Sequence, residues 1–294
     1  MNPNARKTLM LGLISGMSLD QTKPFFLSLE KSGYHGDICL FVSGLDLSTQ
    51  AFLRARKTNL VPFQKAYLKP IWAKLAGVSK RLLTRRQRLV FDEQLSSDYL
   101  HLFCARYAYY RQYLTECCGK NYDYVMLTDV RDVLFQNDPF DFEIPEGLSF
   151  FMEDPSQTIG TCPSNSNWMR LGFGTAVLKE LADKPISCSG TVFGTTAAIL
   201  NHVENMLRIS LLKKWQRFFD QATHNFILYK QPPPALHCFR NDAGPVLTMA
   251  YVNPARLRFN DSGLLVNTAG RVFNTLHQYD RHPELARQLI QTLT

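Results

Sequence analysis

The segment that runs from Tyr122 through Val125-Met126-Leu127-Thr128 to Asp129-Val130-Arg131-Asp132 constrains this chain more than any other. Its first half is a nearly unbroken run of strand-forming apolar residues. It is too short for an independent helix and long enough for a central strand covered on both faces. A parallel strand that ends in acid delivers its carboxylates to the crevice where open α/β sheets bind ligands. Asp129 and Asp132 are hard oxygen donors suited to a divalent cation that bridges phosphates. A plainer reading stands beside this one: acids after strands also make turns, and Arg131 between them is placed for a surface ion pair.

A central strand needs a sheet around it, and the N-terminal part supplies one. Thr8 to Ile14 is a first strand, and Ser15-Gly16-Met17-Ser18 is the loop at its carboxyl end, where Ser15 and Gly16 sit at the mouth of the expected crevice. Pro24 in a first turn and Gly33 after a last one predict a helix over Lys23–Ser32. Asp37 to Val42 is the second strand. This β-loop-α-β order predicts a parallel sheet with a nucleotide-sized crevice at its end. The chain has neither G-x-G-x-x-G nor G-x-x-x-x-G-K-[ST] here, which argues against a dinucleotide or P-loop site.

Further along, Lys65 to Arg88 is the most basic stretch, with Lys and Arg interleaved with Tyr67, Trp72 and Leu82. It is suited either to an anionic membrane surface or to a solvated helical face. Apolar and aromatic residues at helical spacing predict a helix over Ser96–Cys118 that carries His101 and Arg106. Gly147 to Met152 is a strand, Trp168 to Leu181 an amphipathic helix. Ile186 to Gly194 is a strand whose small residues, Ser189 and Gly190 among them, allow a ligand or a backbone to come close, or simply a tight turn into a helix over Thr195–Leu212. Asp220 is placed as the N-cap of a helix that Pro232-Pro233-Pro234 terminates. Val272 to His277 is a late strand that runs into the polar cluster Gln278-Tyr279-Asp280-Arg281-His282.

Three of these features together resemble the GT-A fold of retaining nucleotide-diphosphosugar glycosyltransferases, of the glycogenin-like type. They are the acidic strand end followed by Val133-Leu134-Phe135 and Asp138-Pro139, the Asp220-Gln221 helix start, and the late strand ending in His277. The spacing differs from the D-x-D of that family by one residue. The resemblance implies an α/β, Rossmann-like, mostly parallel central sheet flanked by helices, in a single domain with a helical insertion. Residues 1–132 would form the nucleotide-binding half, and 133–294 the acceptor and sugar-binding half with a C-terminal metal-ligand tail. It implies Mn²⁺ or Mg²⁺ held by Asp129, Asp132 and His277, and a UDP- or GDP-linked sugar donor contacted by Ser15, Gly16, Arg106, Asp129, Arg131, Ser189 and Gly190. Asp220 and Gln221 would act on the transferred sugar, with retention of its configuration. The acceptor would be a glycan, a lipid-linked molecule or a protein.

Composition fits such an enzyme without choosing it. The 294 residues can bury a sizeable core, and 45% hydrophobic with 20% charged residues is ordinary for a globular chain. A formal charge of +8 favours polyanionic partners; a nucleotide sugar is the one expected, with an anionic membrane surface at 65–88 as a further one, and nucleic acid is not expected. Seven cysteines without a C-x-x-C pair predict reduced, mostly buried thiols, and with no apolar run of spanning length they predict a cytoplasmic or peripherally attached protein. Two alternatives remain. A sugar nucleotidyltransferase would need a basic, glycine-rich loop after the first strand, which Ser15 to Thr22 lacks. A non-catalytic basic protein of the same fold would bind surfaces without turnover. Were the enzyme inverting instead, Glu153, Asp154 and Asp242 are the acids from which its base would come.

Overall fold

The computed structural model describes residues 6–63, 102–116, 122–212 and 219–294. The basic stretch at 65–88 and His101 lie outside them. In chain order the strands are β1 (Thr8–Ser15), β2 (Asp37–Ser43), β3 (Asn59–Pro62), β4 (Tyr124–Thr128), β5 (Val133–Phe135), β6 (Leu148–Met152), β7 (Ser187–Thr195), β8 (Leu236–Phe239), β9 (Val246–Thr248), β10 (Arg258–Phe259), β11 (Leu265–Val266) and β12 (Thr275–His277). The helices are α1 (Leu19–Lys31), α2 (Leu47–Arg54), α3 (Leu102–Glu116), α4 (Pro163–Phe173), α5 (Thr175–Leu181), α6 (Thr196–Leu212), α7 (Phe219–Lys230) and α8 (Pro283–Leu293).

The central sheet has seven strands in the order β3-β2-β1-β4-β7-β6-β8. Neighbours run parallel except where β7 pairs with β4 and β6. The fold is therefore α/β with a mostly parallel sheet, as expected. β4 lies between β1 and β7, and alternation along it sends Val125 and Leu127 to one face and Met126 to the other. The first face packs under α3 and α6, where Phe41 meets Tyr109, Tyr110 and Tyr113. The second packs under α1, where Phe25 meets Phe26 and Phe135. Burying each such ring contributes about 1.5–3 kcal/mol, which is why both faces of β4 read as apolar.

Several boundaries differ from the sequence expectation. Helix α1 begins at Leu19, not Lys23, because Ser18 and Gln21 form a reciprocal capping box: Ser18 N donates to Gln21 Oε1 at 2.9 Å, and Gln21 N donates to Ser18 Oγ at 3.4 Å. Pro24 thus lies inside the helix instead of in its first turn. The helix expected over Trp168–Leu181 is two helices, α4 and α5, broken at Gly174, whose φ of 91° leaves the helical region. Asp220 lies in the first turn of α7, not at a cap. The helix expected over Ser96–Cys118 is described over Leu102–Glu116.

A second sheet of three strands, β5-β12-β9, brings the late strand to the acidic one. β5 follows Asp132 directly, and β12 pairs with it antiparallel so that His277 lies opposite Val133. Gln278 N donates to Asp132 O at 2.7 Å, which fixes His277 beside the acids. This small sheet packs on α8 through Leu276, Leu285 and Leu289.

Under α6 and α7 the core holds two histidines, His202 and His224, both buried. Neither His202 ring nitrogen has a hydrogen-bond partner, and its ring stands edge-on to Tyr107 and Phe150. Burial, aided by the charge of Arg106, lowers its pKa to about 3; burial together with His202 and Arg106 lowers that of His224 well below the ordinary value. Below about pH 6.5 the unfolded chain takes up these protons and the folded one does not, so the part of the stability that these two rings contribute falls as the pH falls. The loss between pH 7.5 and 5.5 is about 1.4 kcal/mol for each ring. Thermal melts at the two pH values check this, with the loss reduced in His202→Leu. An unchanged slope in the variant contradicts it; the wild-type slope alone does not decide, because the raised Glu153 carboxyl acts with the opposite sign over the same range.

Among the described residues no helix is long and apolar enough to cross a membrane. Among the described residues Cys39, Cys104, Cys162 and Cys188 are buried and Cys238 is exposed.

Candidate metal centre

Asp129 is the first residue beyond β4, at the carboxyl edge of the sheet. Its N–H donates to Gly190 O at 2.8 Å, which ties the end of β4 to the start of β7. The small residues of β7 are thus at the beginning of an antiparallel strand, alongside the acids. A ligand oxygen or nitrogen from each of Asp129, Asp132 and His277 lies within 4.8 Å of the others. His277 Nε2 is 3.7 Å from Asp129 Oδ2 and 3.8 Å from Asp132 Oδ1. These separations exceed a hydrogen bond. His277 is 0% exposed, and its Nε2 has no hydrogen-bond partner among the described residues. A buried, unpartnered imidazole nitrogen facing two carboxylates is an unsatisfied arrangement that a cation relieves.

The electrostatics agree. Burial works to lower the His277 pKa, but Cys188, Asp129 and Asp132 around the ring raise it well above its ordinary value. Burial acts to raise Asp129, and Arg106 with His277 outweighs it, holding that carboxylate low. Asp132 is raised by burial and by Asp129, against His277. The field between the acids thus favours positive charge, supplied by a proton on Nε2 or by a divalent cation in its place. Two carboxylates and one imidazole are a donor set for Mn²⁺ in particular, since Mg²⁺ keeps to oxygen.

Gly190 makes room for the cluster. A Cβ there would lie 2.4 Å from His277 Cε1 and 2.6 Å from Asp129 Oδ2. No other residue fits without displacing a ligand. Gln278, next to His277, has φ of 57°, a left-handed conformation uncommon outside glycine. Its backbone bond to Asp132 holds it there, and such local strain accompanies sites that must place a neighbouring group closely.

Behind the acids, Arg106 links two of them. Nη1 donates to Asp129 Oδ1 at 2.5 Å, and Nη2 donates to Asp220 Oδ2 at 3.0 Å. Asp220 is raised by burial despite Arg106, so the one guanidinium favours Asp129. Gln221 holds the start of β7: its Oε1 accepts from Ser189 N at 2.8 Å, and its Nε2 donates to Ser187 O at 2.9 Å. Asn225 grips Ser187 from the next turn of α7 in the same way.

Above the cluster opens a cavity of about 650 Å³, within the range of ligand sites. Of the residues expected from sequence, Ser15, Asp129, Arg131, Asp132, Ser189, Gly190, Asp220 and Gln221 line it. Gly16, Arg106 and His277 do not. Gly16 makes the turn after β1, with φ of 64° and its N–H on Ser43 O. Arg106 is buried behind the acids, and His277 beneath them. Glu153 also lines the cavity, and burial pushes its carboxyl up to about 7 against the pull of His277 and Cys188. Asp154 caps a turn through Ser156 N, and Asp242 pairs with Arg240.

Sequence reasoning missed Arg281. It lies in the polar cluster after β12 and lines the cavity opposite Arg131. Both guanidinium groups stand near Asp132, Arg281 at 3.7 Å and Arg131 at 3.8 Å, and Arg131 also reaches Asp280 at 3.3 Å. Trp168 and Tyr251 line a further wall. Their sign in the sequence is faint, since isolated aromatics in a loop and on a helix face are more often core. Compared with known protein families and with curated proteins, the sequence matches none.

Proposed function

We propose that this chain is a metal-dependent glycosyltransferase that moves a sugar from a UDP- or GDP-linked donor to a glycan, a lipid-linked molecule or a protein. One observation carries the reading: Asp129 and Asp132 lie at the floor of a cavity at the carboxyl edge of a mostly parallel sheet, with the buried His277 Nε2 facing them from beneath. In such sheets this edge is where phosphates bind. Asp129, Asp132 and His277 would hold Mn²⁺, which would supply positive charge to neutralise a departing diphosphate. Arg131 and Arg281, both half exposed at the lip, add positive charge for the same diphosphate. Ser15, Ser189, Gly190 and Asp220 line the same cavity; on this reading Ser15, at the end of β1, would meet the nucleoside and the other three the sugar.

Asp220, which lines the cavity and accepts from Arg106, would on this reading stabilise positive charge that develops on the sugar. Gln221 supports the same wall through the backbone of Ser187 and Ser189. The resemblance of this pair to retaining enzymes makes an α-linked product from an α-linked donor the expected outcome.

The test is thermal stability in a panel of UDP- and GDP-linked sugars, with and without Mn²⁺, followed by detection of released nucleoside diphosphate. A donor at 100 times its dissociation constant stabilises by about 2.7 kcal/mol. For a chain of this size that raises the melting temperature by roughly 4 °C. The rise is expected with Mn²⁺ and one class of donor, and not with chelator. No shift with any donor and no released diphosphate contradicts the proposal.

A further inference from the structure

The two nitrogens of His277 face different surroundings. Nε2 points to the carboxylates of Asp129 and Asp132, whereas Nδ1 is 3.5 Å from Cys188 Sγ. Cys188 is buried, on β7 two residues before Gly190, and its sulfur is not among the atoms that cluster around the cation position. An imidazole that ligates through one nitrogen must carry its hydrogen on the other, and the group that accepts that hydrogen fixes the tautomer and the ring's rotation. That group is ordinarily a carboxylate, a carbonyl or water. Among the described residues the only side-chain partner recorded for His277 Nδ1 is a sulfur.

We infer that Cys188 is a positioning residue of the metal centre, accepting Nδ1–H from His277 so that Nε2 presents its lone pair to the cation. This rests on the metal centre proposed above. A cysteine sulfur is a weaker acceptor than a carboxylate. The same geometry explains a crowded arrangement. Gly190 leaves the His277 ring just enough room on one side, and Cys188 is short enough to touch Nδ1 on the other.

The experiment compares wild type, Cys188→Ala and Cys188→Ser in full-length protein. Mn²⁺ dissociation constants come from electron paramagnetic resonance titration of free Mn²⁺, with no donor present. Cys188→Ala should weaken binding about 10-fold, the lower end of what losing an outer partner of a ligand costs. Cys188→Ser, which keeps an acceptor, should stay within about 3-fold of wild type. A merely structural role is separated by nitrogen NMR of ¹⁵N-histidine-labelled protein saturated with Zn²⁺, a diamagnetic ion that accepts imidazole and carboxylate ligands. The His277 resonances should report hydrogen on Nδ1 in wild type and Cys188→Ser, and a mixture of tautomers or a broadened ring signal in Cys188→Ala. Equal Mn²⁺ affinity in all three proteins overturns the inference while leaving the metal centre standing, as does a wild-type ring with its hydrogen on Nε2. A wild-type protein that binds no Mn²⁺ overturns the metal centre and this inference with it.

Discussion

Replacing Arg106 with Ala is expected to destabilise the protein by about 3–5 kcal/mol at neutral pH, the cost of leaving buried charge without its partner. The variant keeps Asp129 and Asp220 but removes the guanidinium within 2.5 Å of one and 3.0 Å of the other. Because Asp129 also faces the cavity, with about a third of its side chain exposed, solvent screening places the loss toward the lower end of that range. The pH dependence has a definite sign. Burial raises Asp129, but Arg106 and His277 hold it below its unfolded value, so their contribution is complete above that value and fades as the pH falls through the folded one. The deficit of Arg106→Ala should therefore stay near its full size from pH 7 to about pH 4 and shrink only as the pH falls further toward about 3. Added Mn²⁺ should restore part of the loss, since a cation between Asp129 and Asp132 takes over some of the neutralisation. Thermal melts across that range measure it. A variant as stable as wild type at pH 7 would show that Arg106 is not the cation these acids depend on.

Asp132→Asn is expected to separate binding from folding. Asp132 is pushed up by burial and by Asp129, and its nearest cations, Arg281 and Arg131, are at 3.7 and 3.8 Å, too far for direct hydrogen bonds. An amide of the same shape removes a repelling, desolvated charge, so the metal-free protein should melt at or above the wild-type temperature. Mn²⁺ binding should nevertheless fall by at least about 100-fold, because a charged ligand is lost, and a ligand matters more than the outer partners whose removal costs about 10–100-fold. Glycosyl transfer should fall with it. Undiminished Mn²⁺ affinity in the folded variant would remove Asp132 from the cluster.

Much of this was legible in the sequence, for reasons that differ between elements. The β4 strand was visible because burial on both faces demands an unbroken apolar run. The acids were visible because chemistry at a strand end follows directly from strand direction. His277 was reached through its polar neighbours and the resemblance, but its route to the acids depends on β5 and β12 pairing across some 140 residues, which no local pattern encodes. The helix starts were harder. Pro24 pulled the expected start of α1 inward, although the Ser18-x-x-Gln21 capping box marked the true one. Gly174 breaks an amphipathic pattern that continues on both sides of it, so periodicity alone joined α4 to α5. Gly16 was expected at the ligand because it follows a strand, whereas its positive φ serves the turn. Arg106 was expected to face a donor, and burial turns it instead to Asp129 and Asp220. Arg281 and Glu153 acquire their surroundings only when β12 and β6 are brought to the same edge.

The central claim is a divalent cation that recruits a nucleoside diphosphate to the sheet edge. Calorimetric titration of UDP and of GDP into wild-type protein, first in Mn²⁺ and then in chelator, tests it most directly. One of the two nucleotides should bind in Mn²⁺ and lose at least about 10-fold, or about 1.4 kcal/mol, when the metal is removed. Binding of equal strength in chelator, or no binding of either nucleotide in Mn²⁺, would contradict the account.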